Sequence, residues 1–187
     1  VDTGAMYRAV GYKASSQGVS PEDREAVKYL MEDTDIDFAH GDIILDGEII
    51  NDKIRTPEIS KAASLYSAIP EVREKLVEIQ RKMGMRKSVI MDGRDIGTVV
   101  LPQAQVKIFL TASPEIRAER RYKELIEKGS EVDYQSVLDD IVKRDYNDSH
   151  REIAPLKPAE DSVLFDTTGL ALDESVAAIT KIIKEKI

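Results

Sequence analysis

VIMDGRDIGTVVLP, residues 89–102, begins with three apolar residues and then gathers Asp92, Arg94 and Asp95 around Gly93. Two further short apolar runs follow, VKIFLTA at 106–112 and VLFDTT at 163–168, and amphipathic helical patterns lie between and after them at 113–129, 133–151 and 171–186. Short, continuously apolar strands, the first of them 88–92, that alternate with helices predict a buried parallel sheet, a doubly wound α/β fold. In such sheets ligands bind beyond the carboxyl ends of the strands, which is where Asp92, Arg94 and Asp95 fall. Two readings of this cluster are open. Arg94 can present a donor fork to a phosphate while Asp95 accepts from an amino group, or Asp95 pairs with Arg94 in a polar turn.

The N-terminal half reads as helices around a small β element. A helix over 5–18 ends on Gly18, Ser20-Pro21 starts a second, Thr56-Pro57 a third, and Pro70 a fourth that ends at Gly84. Between them, DIILDGEIIND at 42–52 places two β-branched runs on either side of Asp46-Gly47, the strongest two-residue hairpin signal.

Composition narrows the function classes. With 35 acidic residues against 27 Lys and Arg, the net charge of −8 disfavours a nucleic acid polymer or an anionic membrane as partner. Any anion must meet local arginines. Zero cysteines exclude disulfides and thiolate metal sites and fit a cytoplasmic location, and no apolar run approaches a membrane span. His40 and His150 are too few and too far apart for a metal motif.

Arginines recur near small polar residues. Thr3 precedes Arg8 by one helical turn and more, Ser64 stands before the Pro-started helix that carries Arg73, and Arg117, Arg120 and Arg121 cluster on one helix. On the 133–151 helix, Val137, Ile141, Arg144, Asp148 and Arg151 share one stripe, so a core-facing surface turns charged toward its end. Such charges are costly to bury unless paired or bound to a ligand; a solvated Arg144-Asp148-Arg151 ladder is the other reading.

VDTGAMYRA, SLYSAIPEVR, MDGRDIGTVVLP, KIFLTASPEIRAERR, RDYNDSHREIAPL and DTTG, in this order across nearly the whole chain, resemble the bacterial cytidylate kinases of the nucleoside monophosphate kinase family. The resemblance implies one kinase domain over 1–187, with an inserted CMP-binding element near 34–84 and a lid with its flanking helices near 113–151. It implies ATP-dependent phosphorylation of CMP and dCMP with Mg²⁺ by a cytoplasmic monomer. Carried over residue by residue, Ser64, Arg73 and Asp95 read cytosine, Asp148 holds the ribose, and Thr3 lines the same site. Arg8, Arg94, Arg144 and Arg151 surround the acceptor phosphate, with Arg94, Arg144 and Arg151 as the catalytic group. Arg117, Arg120 and Arg121 belong to the lid over ATP, and Asp92 is an outer partner of Mg²⁺.

One motif of the family does not occur. Gly-x-x-x-x-Gly-Lys-Ser/Thr, whose backbone N–H groups hold donor phosphates, is missing between Val1 and Ile187. The resemblance places it roughly 30 residues ahead of DTGAMYR, one βα unit, so an upstream strand and loop are expected. A nucleotide-binding domain without catalysis and a related kinase preferring UMP are the competing readings.

Overall fold

The computed structural model describes residues 1–86 and 88–187. It divides into two compact units, Val1–Leu101 and Pro102–Ile187.

In the first unit, α1 (Thr3–Gln17) starts where the Asp2 carboxylate accepts from Ala5 N at 2.9 Å, two residues ahead of the expected start. It ends at Gly18, whose φ of 66° suits the left-handed cap. Met6, Ala9, Val10 and Ala14 are buried in the core shared with α3 (Pro57–Tyr66). Gly11 permits the close approach of these helices: a Cβ there would stand 3.0 Å from Ala63 N and 3.1 Å from Ala62 Cβ. The second helix, α2 (Arg24–Glu32), begins at Asp23 rather than at Ser20-Pro21. Asp23 accepts from Ala26 N at 3.0 Å, whereas Ser20 Oγ only closes a turn to Glu22 N at 3.3 Å. The fourth, α4 (Pro70–Arg86), runs past the expected stop at Gly84.

The Asp46-Gly47 hairpin is present as part of a larger antiparallel meander of β1 (Ile36–Ala39), β2 (Asp42–Leu45) and β3 (Glu48–Ile49). Leu45 pairs with Glu48 and Ala39 with Asp42, so both connections are two-residue loops. His40 and Gly41 have φ of 55° and 95°, and Asp46 and Gly47 have 50° and 82°, positive at both central residues as type I′ turns require. Lys13 of α1, 5% exposed, secures the second loop. Its Nζ donates to Asp33 O at 2.5 Å and meets Asp46 Oδ2 at 2.7 Å, while Asp46 Oδ1 accepts from Asp35 N at 2.9 Å.

The strand expected over 88–92 is reduced to a short parallel ladder. Val1 N donates to Ile90 O at 2.5 Å, Asp92 N to Val1 O at 3.1 Å and Thr3 N to Asp92 O at 3.2 Å. Pairing stops there because Thr3 already begins α1. Residues 96–100, which follow Asp95, wind as a π-helical turn.

The second unit is a β-α-α-β-α succession. Its strands β4 (Ile108–Thr111) and β5 (Val163–Asp166) pair in parallel, Ile108 with Val163 through Thr111 with Asp166. Between them lie α5 (Pro114–Glu127) and α6 (Tyr134–His150), capped by Ser113 Oγ to Ile116 N and Asp133 Oδ2 to Ser136 N. Ala118, Leu125 and Val137 form their buried contact, with Tyr122 and Ile141 packed around it. The C-terminal helix is α7 (Leu172–Lys186). Helices with parallel pairing, β4 with β5 in the second unit and the single Asp2–Asp92 bridge in the first, are the α/β class read from the sequence, but the strands are less buried than expected: Leu110 is 55% and Leu164 67% exposed. Among the described residues no helix is long and apolar enough to cross a membrane.

Candidate active site

Two clusters of polar side chains stand out, one in each unit. The first centres on Arg73 and Asp95, 4% and 5% exposed. The guanidinium of Arg73 donates through Nη2 to Asp95 Oδ2 and through Nη1 to Ser67 O at 3.2 Å, and Cζ lies 5.8 Å from the centre of the Tyr7 ring. Ser67 Oγ donates in turn to Ser64 O at 2.8 Å. A chain of contacts thus joins Ser64, Ser67, Arg73 and Asp95, three of which the sequence had singled out. The Asp95 carboxylate is committed to Arg73 of α4, a partner that neither reading of the 92–95 cluster named. One hydrogen bond leaves a carboxylate with free lone pairs, so Asp95 can still accept from a ligand.

At the start of α1, Thr3 Oγ1 donates to Asp92 O at 2.6 Å, and Arg8 Nη2 meets Asp2 Oδ2 at 2.7 Å. Gly93 is required here because a Cβ would come 2.4 Å from Thr3 Oγ1 and 2.8 Å from Ile96 Cδ1. Partial burial and the neighbouring Asp2 carboxylate raise the Asp92 carboxyl above its ordinary range. Arg94, beside it, is exposed. Arg8 and the exposed Arg94 therefore bring positive charge beside the Asp2 and Asp92 carboxylates, while Arg73 is paired in the interior of the unit.

The second cluster is at the end of α6. Asp148 lies between Arg144 and Arg151, with Nε of Arg144 and Nη1 of Arg151 each 3.9 Å from a carboxylate oxygen. The Asp148 and Arg151 side chains are both 11% exposed and that of Arg144 is 47%, so Asp148 and Arg151 are withdrawn from solvent while Arg144 reaches it. Backbone contacts fix it further: Arg151 Nε donates to Ala154 O at 2.6 Å, and Leu156 N to Asp148 O at 2.7 Å.

The three arginines of α5 have separate attachments. Arg117 grips Asp145 of α6 with both Nη atoms, at 2.9 and 2.5 Å, and gives Nε to Ala112 O at 2.9 Å. Arg120 Nη2 donates to Thr167 O at 3.0 Å and Leu170 O at 3.4 Å. Arg121 meets Glu124 at 2.8 Å. His40 occupies the β1–β2 turn, and His150 stacks on Tyr146 at 4.0 Å. Among the described residues no three His, Cys, Asp or Glu side chains gather as a metal-binding group.

Sequence reasoning did not find Asp2, Tyr7 or Ser67. Asp2 carried a readable signal, an N-cap carboxylate six residues ahead of an arginine; Tyr7 carried none, because it contributes through Arg73, distant in sequence, and Ser67 none, because it contributes through its backbone carbonyl.

Residues 1–185 match the family model for cytidylate kinase. The chain is 54% identical over 172 residues to the cytidylate kinase of Clostridium perfringens strain SM101, an alignment covering 92% of this chain and 79% of that protein. It is 47% identical over 187 residues to the cytidylate kinase of Clostridium tetani, covering 100% and 83% of the two chains. With the cytidylate kinase of Caldicellulosiruptor bescii the identity is 49% over 195 residues, covering 100% and 86%. A match along nearly the whole length, carried by a chain whose two polar clusters are rich in arginine, makes this protein a member of the cytidylate kinase family.

Proposed function

We propose that the protein transfers a phosphoryl group from ATP to CMP and dCMP, yielding CDP and dCDP. The observation that carries this reading is the buried Arg73–Asp95 pair, tethered through Ser67 to Ser64. A guanidinium and a carboxylate held side by side match the edge of cytosine, which offers an amino donor next to N3 and O2 acceptors. Uracil presents a carbonyl where cytosine has its amino group and would leave Asp95 facing an acceptor, a mismatch that disfavours it.

Phosphoryl transfer needs alignment of the acceptor phosphate and neutralisation of the charge that spreads over the transferred group. In the first unit Arg8 and Arg94 bind acceptor phosphate oxygens, and Thr3 lines the same surface. In the second, taken by itself, Arg144 and Arg151 are suited to phosphate oxygens and Asp148 to ribose hydroxyls. Guanidiniums preorganised by carboxylates and backbone carbonyls need little rearrangement as charge develops, which is where their contribution to rate lies. Of the α5 arginines, Arg121 is our preferred partner for ATP phosphate, since it pairs with a side chain of its own helix, Glu124, whereas Arg117 and Arg120 each hold a backbone carbonyl.

Mg²⁺ accompanies ATP in this reading. The Asp2 and Asp92 carboxylates fit it as outer partners, because their mutual repulsion, which helps to raise Asp92, is relieved by a nearby cation. Bound there with ATP, the ion would neutralise donor phosphate charge. The cysteine-free composition fits a cytoplasmic location.

The deciding experiment measures phosphoryl transfer from Mg·ATP to CMP, dCMP, UMP, AMP and GMP. Fast turnover of CMP and dCMP with weak UMP is the expected result. Equal use of UMP would favour a broader pyrimidine kinase, and no transfer to any acceptor would leave a nucleotide-binding domain.

A further inference from the structure

The turn after Asp95 is held by a neighbouring helix as well as by its own backbone hydrogen bonds. Asp95 O accepts from Val99 N at 2.8 Å and Val100 N at 3.2 Å, and Ile96 O accepts from Leu101 N at 2.7 Å. The last two bonds span five residues, the spacing of a π-helical turn, which is rare and concentrates at functional sites. Ile-Gly-Thr-Val-Val has β-branched residues and a glycine, all poor helix formers, so its intrinsic preference does not impose this winding.

Helix α4 supplies what the turn lacks, at both ends. Arg73 takes the Asp95 carboxylate at the start. Eight residues further along α4, Arg81 donates from Nη2 to Val99 O at 2.6 Å and from Nε to Val100 O at 3.3 Å. These carbonyls lie at the end of the turn, where a helix leaves its acceptors without intrahelical donors. Gly84, next along α4, makes room for Leu101: a Cβ there would come 2.9 Å from Leu101 Cδ2.

We infer that Arg81 is a positioning residue for Asp95, clamping the far end of the π-helical turn so that the carboxylate stays in register with Arg73 and faces the nucleobase. The inference rests on the proposed function in one respect only, the assignment of Asp95 to the base.

Two variants test it. Arg81→Met keeps the apolar stem and removes the donors, and Arg81→Lys keeps the charge without the planar fork. Because Arg81 is exposed, neither opens a buried void. Amide hydrogen exchange at Val100 and Leu101 is measured together with kcat and KM for CMP, UMP and ATP. Arg81→Met is expected to speed exchange at both amides roughly tenfold and to raise KM for CMP roughly tenfold. The preference for CMP over UMP falls, KM for ATP stays put, and Arg81→Lys falls between wild type and Arg81→Met. Unchanged exchange would overturn the clamp. Faster exchange with unaltered KM and CMP:UMP ratio would overturn the positioning role, leaving Arg81 as a stabilising contact. Wild-type protein that uses CMP and UMP equally would overturn the assignment of Asp95 to the base, and this failure is read from wild type alone.

Discussion

Asp95 and Arg73, 22 residues apart in sequence, meet as a buried ion pair in which each side chain is about 5% exposed. The pair joins the loop after the 90–92 ladder to the first turn of α4. Removing one member strands the other's charge where little water reaches it.

Asp95→Ala is therefore expected to destabilise the protein by about 3–5 kcal/mol, the usual result of breaking a buried pair from one side. Urea unfolding measures it, and a loss below about 1 kcal/mol would show that the pair is effectively solvated. Asp95→Asn keeps an acceptor oxygen and should cost less stability while narrowing the discrimination between CMP and UMP in steady-state kinetics.

Arg94→Ala and Arg151→Ala are each expected to lower kcat/KM for CMP by roughly 100-fold or more, the scale of losing one preorganised donor to a charged transition state. Arg86→Ala, at the end of α4 and outside both clusters, serves as the comparison and should change it little. Similar small losses in all three would remove the first two from the phosphate site.

Asp92 gives a pH signature. Its carboxyl is raised by partial burial and by Asp2, so the native state holds this proton more tightly than the unfolded chain. Between the ordinary carboxylate value and the raised one, stability falls as pH rises; the penalty is complete above that window and absent below it. Asp92→Asn should stabilise the protein near neutral pH by less than about 1 kcal/mol, since solvent screens a side chain this exposed. The gain should vanish at acid pH. Thermal melts of both proteins at pH 7 and pH 3.5 check this, and a gain independent of pH would assign the effect to something other than ionisation.

Lys13 and Asp46 should respond unequally to truncation. Asp46→Ala leaves the buried Lys13 ammonium without its closest carboxylate and puts a β-carbon residue with no local hydrogen bond at φ 50°. A loss of about 1–3 kcal/mol is expected, since Asp46 is partly exposed and Asp33 stays beside the ammonium. Lys13→Met removes the buried charge along with its need for a partner and should cost clearly less. Denaturant midpoints decide, and a larger loss for Lys13→Met would reverse the argument.

Much of this architecture was legible because local chemistry and tertiary structure agree. Asp46-Gly47 marks its own turn, Gly18 its own cap, and the 3,4-spacing of Val137, Ile141, Arg144 and Asp148 holds on α6, whereas Arg151, expected on the same stripe, is the extended C-cap residue. The strand Ile36–Ala39 was not read, because His40-Gly41 is a weaker turn signal than Asp-Gly and the preceding residues continue a helical pattern. The π-helical turn was not legible either. Ile-Gly-Thr-Val-Val looks extended, and what winds it is the placement of Arg73 and Arg81 on another element. Of the candidate site, the residue types were visible in the sequence; the pairing of Asp95 with Arg73, and the attachment of Arg117 to Asp145, depend on contacts that only folding creates.

The parallel pairing of β4 with β5 bears on how the second unit forms. Ile108 and Val163 are neighbours across the ladder although 55 residues separate them in the chain. Closing so long a loop costs entropy before any strand hydrogen bond compensates it. The helical pair between them shortens that search, since α5 and α6 have their own caps, their own apolar contact and the Arg117–Asp145 link. Helical hairpins assemble quickly and parallel strands slowly. The α5–α6 pair is thus the natural early structure of this unit, and mutations there should slow refolding, while those in β4 and β5 should chiefly hasten unfolding.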